Sequence, residues 1–201
     1  MSRTFFVADT HFNHEAIIRI CDRRDPRRLD ADGNPLPFES SEAMDRYMID
    51  MWNSIVSPHD RVYHLGDFAH KANPKYARHI FEKLNGQKHL CIGNHDKDCV
   101  KNLPWGSPPE HIKTVVVDGI NVVMCHYAMR TWPTLWGKSV HLFGHSHGKM
   151  PGNDRSLDVG VDCWDFMPVD LETILARMRT LPPFWNPEPG SDDEHAPSFK
   201  P

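Results

Sequence analysis

Asp9 and His11, Asp67, Asn94 and His95, His126, and His145 and His147 each stand where an apolar run of this 201-residue chain stops. Carboxylate, amide oxygen and neutral imidazole are ligands for Mn²⁺, Fe or Zn²⁺, and they do not form the thiolate set of a structural zinc site. In Asp9-Thr10-His11 and His145-Ser146-His147 the two groups are one residue apart, so an extended backbone can present both on one side. Asp67 stands alone at its strand end, and a single carboxylate can bridge two ions. Two metals about 3.5–4 Å apart can activate water and clamp an in-line displacement at phosphorus. Two dications offset by Asp9 and Asp67 leave a pocket of roughly +2, which draws in an anion even though the chain is net acidic at −4.

The elements that must hold these residues alternate early in the chain. Strand-like runs cover Thr4–Ala8, Arg61–Leu65 and Lys88–Ile92. Thr114–Val117 and Ile120–Cys125 flank Asp118-Gly119, a two-residue hairpin signal. A further strand starts at Val140 and a short one covers Leu157–Val161. Between the early strands, Ala43, Met44, Tyr47, Met48, Met51, Trp52 and Ile55 follow helical spacing behind the caps Ser40 or Ser41. Ala77, Ile80, Phe81 and Leu84 form a second stripe between Pro74 and Gly86. Glu15–Ile20 reads as a shorter helix, and Leu171, Ile174, Leu175 and Met178 as a last one. This pattern predicts an α/β layered domain with a mixed sheet or two packed sheets between helices. Its expected extent is 1–181. The charged, Pro- and Gly-containing stretch 22–38 reads as a loop insertion, and the proline-rich stretch 182–201 as a disordered tail.

Composition narrows the class. The acidic balance gives no broad nucleic-acid surface. Five cysteines without a C-x-x-C pair read as reduced thiols. No leader-like or membrane-spanning apolar stretch is seen, so the expected location is the cytoplasm.

DTH at 9–11, GD at 66–67, GNHD at 93–96, the lone His126 and GHSH at 144–147 resemble the five motifs of the calcineurin-like metallophosphoesterases. VYHLGDF and DVGVD resemble a small bacterial and phage branch of that family. The resemblance implies a four-layer α/β sandwich, two mixed sheets flanked by helices. It implies one metal held by Asp9, His11, Asp67 and His147, and another held by Asp67, Asn94, His126 and His145. The expected cofactors are two divalent ions, Mn²⁺ first, with Fe, Zn²⁺, Ni²⁺ or Co²⁺ as substitutes. His95 would face the scissile phosphate, with Asp96 orienting it; a loop-capping role for Asp96 is the alternative. The implied reaction is hydrolysis of a phosphoester by a metal-bridging hydroxide attacking in line. A phosphodiesterase is favoured over a phosphomonoesterase or small nuclease, and a non-catalytic scaffold of the same fold is the remote alternative.

Other residues divide as follows. His64 and His141 read as structural, and His59, His70, His79, His89, His111 and His195 as surface. His14 either contacts substrate phosphate or starts a helix. Arg130 and Trp132, in the loop after His126, are candidates for holding a nucleotide-like substrate. Arg23, Arg24, Arg27 and Arg28 read as an exposed cluster, with a place on the pocket rim as the alternative. The oligomeric state is open.

Overall fold

A computed structural model of the chain describes residues 2–184. In chain order the elements are β1 (Thr4–Val7), α1 (Ile17–Ile20), β2 (Arg24–Leu29), β3 (Pro35–Pro37), α2 (Ser41–Ile55), β4 (Arg61–His64) and α3 (Pro74–Lys83). There follow β5 (Gln87–Leu90), α4 (Asp98–Lys101), β6 (Ile112–Val117), β7 (Ile120–Cys125), β8 (Ser139–Phe143), β9 (Ser156–Asp158), β10 (Val169–Asp170) and α5 (Leu171–Met178).

Two four-stranded mixed sheets carry the site. The first has the order β10-β1-β4-β5, parallel except for β10; the second has the order β6-β7-β8-β9, parallel except for the β6–β7 hairpin. Alternation along β1 explains how the layers stack. Phe5 and Val7 join a cluster with Met44, Met48 and Trp52 of α2 and Ile80 and Phe81 of α3. Phe6 and the following Ala8 turn the other way, onto Val122, Met124, Val140 and Leu142 of the second sheet and the apolar face of α5. The outer face of the second sheet is covered by Trp132 and Leu135, which pack on Val123.

The helices begin where side-chain caps allow. Ser40 Oγ accepts from Ala43 N at the start of α2, and Asn73 accepts from Tyr76 N at α3, with Pro74 in its first turn. Asp118 and Gly119 take φ of 50° and 78°, the left-handed pair that a tight β6–β7 turn requires.

Two expectations are corrected. Residues 22–38 are not a loop, because β2 and β3 pair antiparallel as a hairpin with Asp25 opposite Leu36. Its signal was hidden because prolines and charges replace apolar alternation; the strands pair through the backbone, with Arg28–Glu39 linking β2 to the segment after β3. Residues 182–184 of the expected tail are ordered, since Phe184 packs edge-on against Trp132 and its N–H donates to Asp154. Residues 185–201, His195 among them, lie outside the described residues.

Candidate metal centre

The candidate ligands sit on the loops that leave β1, β4, β5, β7 and β8 at one end of the two sheets. Asp9, His11, Asp67, His145 and His147 all have left-handed backbones, with φ of 57°, 48°, 58°, 66° and 48°. Side chains other than glycine pay about 1–2 kcal/mol for that conformation. Five such residues at one site mean that the loops are held by their neighbours. Asp9 N donates to Gly66 O at 3.0 Å, and His11 N donates to Asp67 O at 2.9 Å. His145 N donates to Asp9 Oδ2, and His95 N to Asp67 Oδ1, both at 2.8 Å. The carboxylates therefore pin the loops with one oxygen and keep the other for the centre. Glycine is required where these loops touch. A Cβ on Gly93 would lie 2.3 Å from Asp67 Oδ1, and one on Gly144 2.5 Å from Asp9 Oδ2.

Asp67 stands in the middle. Its Oδ2 is 3.5 Å from His11 Nε2, 3.4 Å from His126 Nε2 and 3.9 Å from His95 Nε2. On one side of it Asp9, His11 and His147 converge; on the other, Asp67 itself groups with His126 and His145. Asn94 Oδ1 lies 3.0 Å from His126 Nε2 and joins the second group.

Asp9, His11, Asp67 and His126 are buried, yet Asp9 Oδ1 and His11 Nε2 have no hydrogen-bond partner. Such orphans are rare in a protein interior. Burial pushes the Asp9 carboxyl up to about 7 and the His11 imidazole down to about 2. Burial also works against the Asp67 charge, but the His126 bond holds that carboxyl well below its ordinary range. A buried pair of carboxylates, a neutral His11 imidazole and unpartnered Asp9 Oδ1 and His11 Nε2 atoms at one centre fit bound cations.

No family model matches the chain. The uncharacterized protein MJ1445 of Methanocaldococcus jannaschii is 30% identical over 183 residues, which is 87% of this chain and 90% of that protein. The chain and MJ1445 belong to one family. The crystal structure of AQ665, a protein of unknown function from Aquifex aeolicus, superimposes with a TM-score of 0.61 at 22% identity. It spans 87% of this chain and 98% of its own, and so shares the fold. A structure described as a novel archaeal phosphodiesterase gives a TM-score of 0.44 at 18% identity, over 79% of this chain and 82% of that one.

The sequence reading missed the groups that brace the candidate centre. His147 Nδ1 bonds Asp162 Oδ2 at 2.7 Å, which leaves Nε2 for the centre. Burial opposes a charge on His147, but Asp162 outweighs it and holds the imidazole up to about 10. Asp162 in turn accepts from Arg23 Nε at 2.8 Å and Nη2 at 3.0 Å. Arg23 is fully buried and also donates to the carbonyls of Asp9 and Thr10, so it does not belong to an exposed cluster. Asp158 accepts from Ser146 Oγ and Gly148 N, which ties down the turn carrying His145 and His147. The repeated Asp of DVGVD, at 158 and 162, was the available signal.

Three assigned roles are not supported by the geometry. Asp96 does not orient His95. Its carboxylate accepts from the backbone N–H groups of Gly93, Asp67 and Phe68, joining the β4 and β5 loops, which is the loop-capping alternative. Trp132 does not line the mouth of the site: it is buried against His141, and its indole N–H donates to Ser139 Oγ. His70 is not a bystander on the surface, since its Nδ1 is 3.2 Å from His95 Nδ1 and its ring stacks on His14. His14 reaches His11, Nδ1 to Nδ1, at 3.3 Å. Arg130 stays exposed on the loop after His126. The exposed aromatic at the site is instead Tyr127, edge-on to His126 and His145, with its hydroxyl 3.4 Å from Asn94 Oδ1. His64 and His141 are structural as expected: His64 bonds Thr10 and Gly66 N, and His141 bonds Val123 O and Met129 N.

Proposed function

We propose that the chain hydrolyses phosphoesters, with a preference for diesters, using two divalent cations. The observation that carries this reading is the pair of donor groups, Asp9, His11 and His147 in one and Asp67, His126 and His145 in the other, built around buried Asp9, His11, Asp67 and His126. Asp9, His11, Asp67 and His147 would hold one ion, and Asp67, Asn94, His126 and His145 the other. Mn²⁺ suits the mixed oxygen and imidazole set, and Fe, Zn²⁺, Co²⁺ or Ni²⁺ are chemically similar occupants. When bound, the pair supplies a lowered water pKa and neutralises charge on the phosphoryl oxygens.

The chain's own residues do the rest. Asp9 and Asp67 set the charge of the loaded pocket at roughly +2, enough to attract an anion without trapping it. His95 Nε2, 3.9 Å from Asp67 Oδ2 and half-exposed, faces the place where a phosphoester would sit. It would give a hydrogen bond or a proton to the oxygen that gains charge as the P–O bond breaks. Arg23 lies beneath the site and is neutralised by Asp162. Among the described residues, the rings in contact with His95 and His145 are those of His11, His14, His70, His126 and Tyr127, and no arginine bonds to them. That favours a monoanionic diester over a dianionic monoester. The expected substrate class is a nucleotide-like or other small phosphodiester.

The test is hydrolysis of bis-p-nitrophenyl phosphate and p-nitrophenyl phosphate by Mn²⁺-loaded protein, beside an Asp67→Ala control. Diester cleavage lost in the control supports the proposal. Faster monoester cleavage would reverse the preference, and silence on both substrates with two ions bound would count against hydrolysis of simple phosphoesters.

A further inference from the structure

His95 needs a partner that holds its ring, and Asp96, the neighbour expected to do so, is committed to three backbone N–H groups. The imidazole of His70 lies where that partner should be. The two Nδ1 atoms are 3.2 Å apart and the rings are inclined at 59°, so one ring's nitrogen meets the other's edge rather than its face. His95 Nε2 is then the nitrogen left for the site.

His70 is itself anchored. Its backbone N–H donates to Phe12 O at 2.9 Å, and its carbonyl accepts from Asn13 Nδ2 at 3.2 Å. Its ring lies flat on His14, centroids 3.7 Å apart and 10° from parallel. His14 in turn bonds the ring of His11. Four imidazoles, of His11, His14, His70 and His95, therefore run in sequence from a candidate metal ligand to His95.

We propose that His70 is a positioning residue that keeps hydrogen on His95 Nε2, where the substrate would lie. The proposal rests on the reading of His95 given above. The hydrogen on one ring nitrogen of histidine is set by the bond the other nitrogen makes. An imidazole partner can play either side of that bond. When His95 is neutral, His70 Nδ1–H donates to His95 Nδ1, and the single His95 hydrogen stays on Nε2. When His95 is an imidazolium, its Nδ1–H donates to His70 Nδ1, and Nε2 again carries hydrogen. A carboxylate in the same place can only accept; it would draw the neutral ring's hydrogen to Nδ1 and leave Nε2 bare.

Two variants separate these cases. His70→Phe keeps the flat contact with His14 and removes the hydrogen bond, and His70→Asp offers an acceptor only. His70→Asn keeps both a donor and an acceptor and serves as the conservative rescue. The readout independent of turnover is the two-bond ¹⁵N–¹H imidazole spectrum of Zn²⁺-loaded protein, with His95 assigned by its loss in His95→Asn. The expected result is an Nε2–H pattern in the parent and in His70→Asn, a mixture in His70→Phe, and an Nδ1–H pattern in His70→Asp. In kinetics on an alkyl phosphodiester, His70→Phe should lower kcat about 10–100-fold, the range for losing a group that orients a reactive side chain. KM and metal content should hold, and His70→Asn should recover most of the rate. An unchanged His95 pattern in both His70→Phe and His70→Asp would overturn the proposal. So would equal kcat for parent and His70→Phe. A parent silent on every phosphoester would overturn the proposed function instead, while the spectrum still decides the His70–His95 pairing.

Discussion

Replacing Asp162 by Asn should weaken one metal site and spare the other. Asp162 accepts from His147 Nδ1 at 2.7 Å and from Arg23 Nε and Nη2 at 2.8 and 3.0 Å. All of these groups are donors, and an amide keeps one acceptor oxygen while turning an NH₂ toward another donor. His147 then loses the bond that aims Nε2, and a loss of this kind costs about 10–100-fold in metal affinity. That corresponds to about 1.4–2.8 kcal/mol. The same change leaves the buried Arg23 guanidinium without its counter-charge. Breaking one partner out of a buried pair costs about 3–5 kcal/mol, so the melting temperature should drop by roughly 6–20 °C for a chain of this size. Calorimetric titration with Mn²⁺ reads the first effect, and thermal unfolding the second. The expected isotherm has one event weakened, that of Asp9, His11, Asp67 and His147, while the event of Asp67, Asn94, His126 and His145 stays near its parent value. Two unaltered events, or two events weakened equally in a folded protein, would refute the reasoning.

Other changes follow from the same geometry. His95→Asn should keep both ions and lose about 10²–10⁴-fold in turnover on an alkyl diester, with a smaller loss on a p-nitrophenyl ester, whose leaving group needs less help; equal rates on the alkyl ester would remove His95 from the chemistry. Trp132→Ala should cost about 3–5 kcal/mol of stability, because it empties a buried aromatic site, and should leave KM unaltered; a raised KM at parental stability would return Trp132 to the substrate pocket. Burial raises the Asp45 carboxyl to about 6, against the opposing bonds from Tyr76 and Asn13 N. The folded state thus holds that proton more tightly than the unfolded chain, and stability should fall as pH rises from about 4 to about 6. The drop attributable to this group is ~3 kcal/mol. Urea unfolding at pH 4 and pH 7 should show it in the parent and not in Asp45→Asn; identical pH dependence in the two would contradict it.

The convergence of most of the candidate residues was legible because they end apolar runs, and the ends of strands in a layered α/β fold converge. The period-2 and helical patterns gave the main strands and α2, α3 and α5 to within a few residues. The hairpin β2–β3 was not legible, since its strands are rich in charges and carry Pro26, Pro35 and Pro37 rather than an apolar face. Nor was the role of His70, Asp162 or Arg23, for a different reason. Arg23 and Asp162 lie 139 positions apart, and His70 and His95 lie 25 apart. No local spacing announces such pairs: His70 and His95 meet because β4 and β5 are neighbours in one sheet, and Arg23 and Asp162 because distant loops fold together. Trp132 shows the opposite error: a loop near the site in sequence turned its aromatic ring inward, to cover the second sheet.

The central claim is a pair of cations sharing Asp67. The most direct measurement is the metal content of Mn²⁺-equilibrated protein after removal of free ion, with the electron paramagnetic resonance spectrum of the same sample, for parent and Asp67→Ala. The account predicts two ions per chain with an exchange-coupled spectrum in the parent, and loss of the coupling with at most one ion in the variant. A single uncoupled ion in the parent, or two coupled ions in Asp67→Ala, would contradict it.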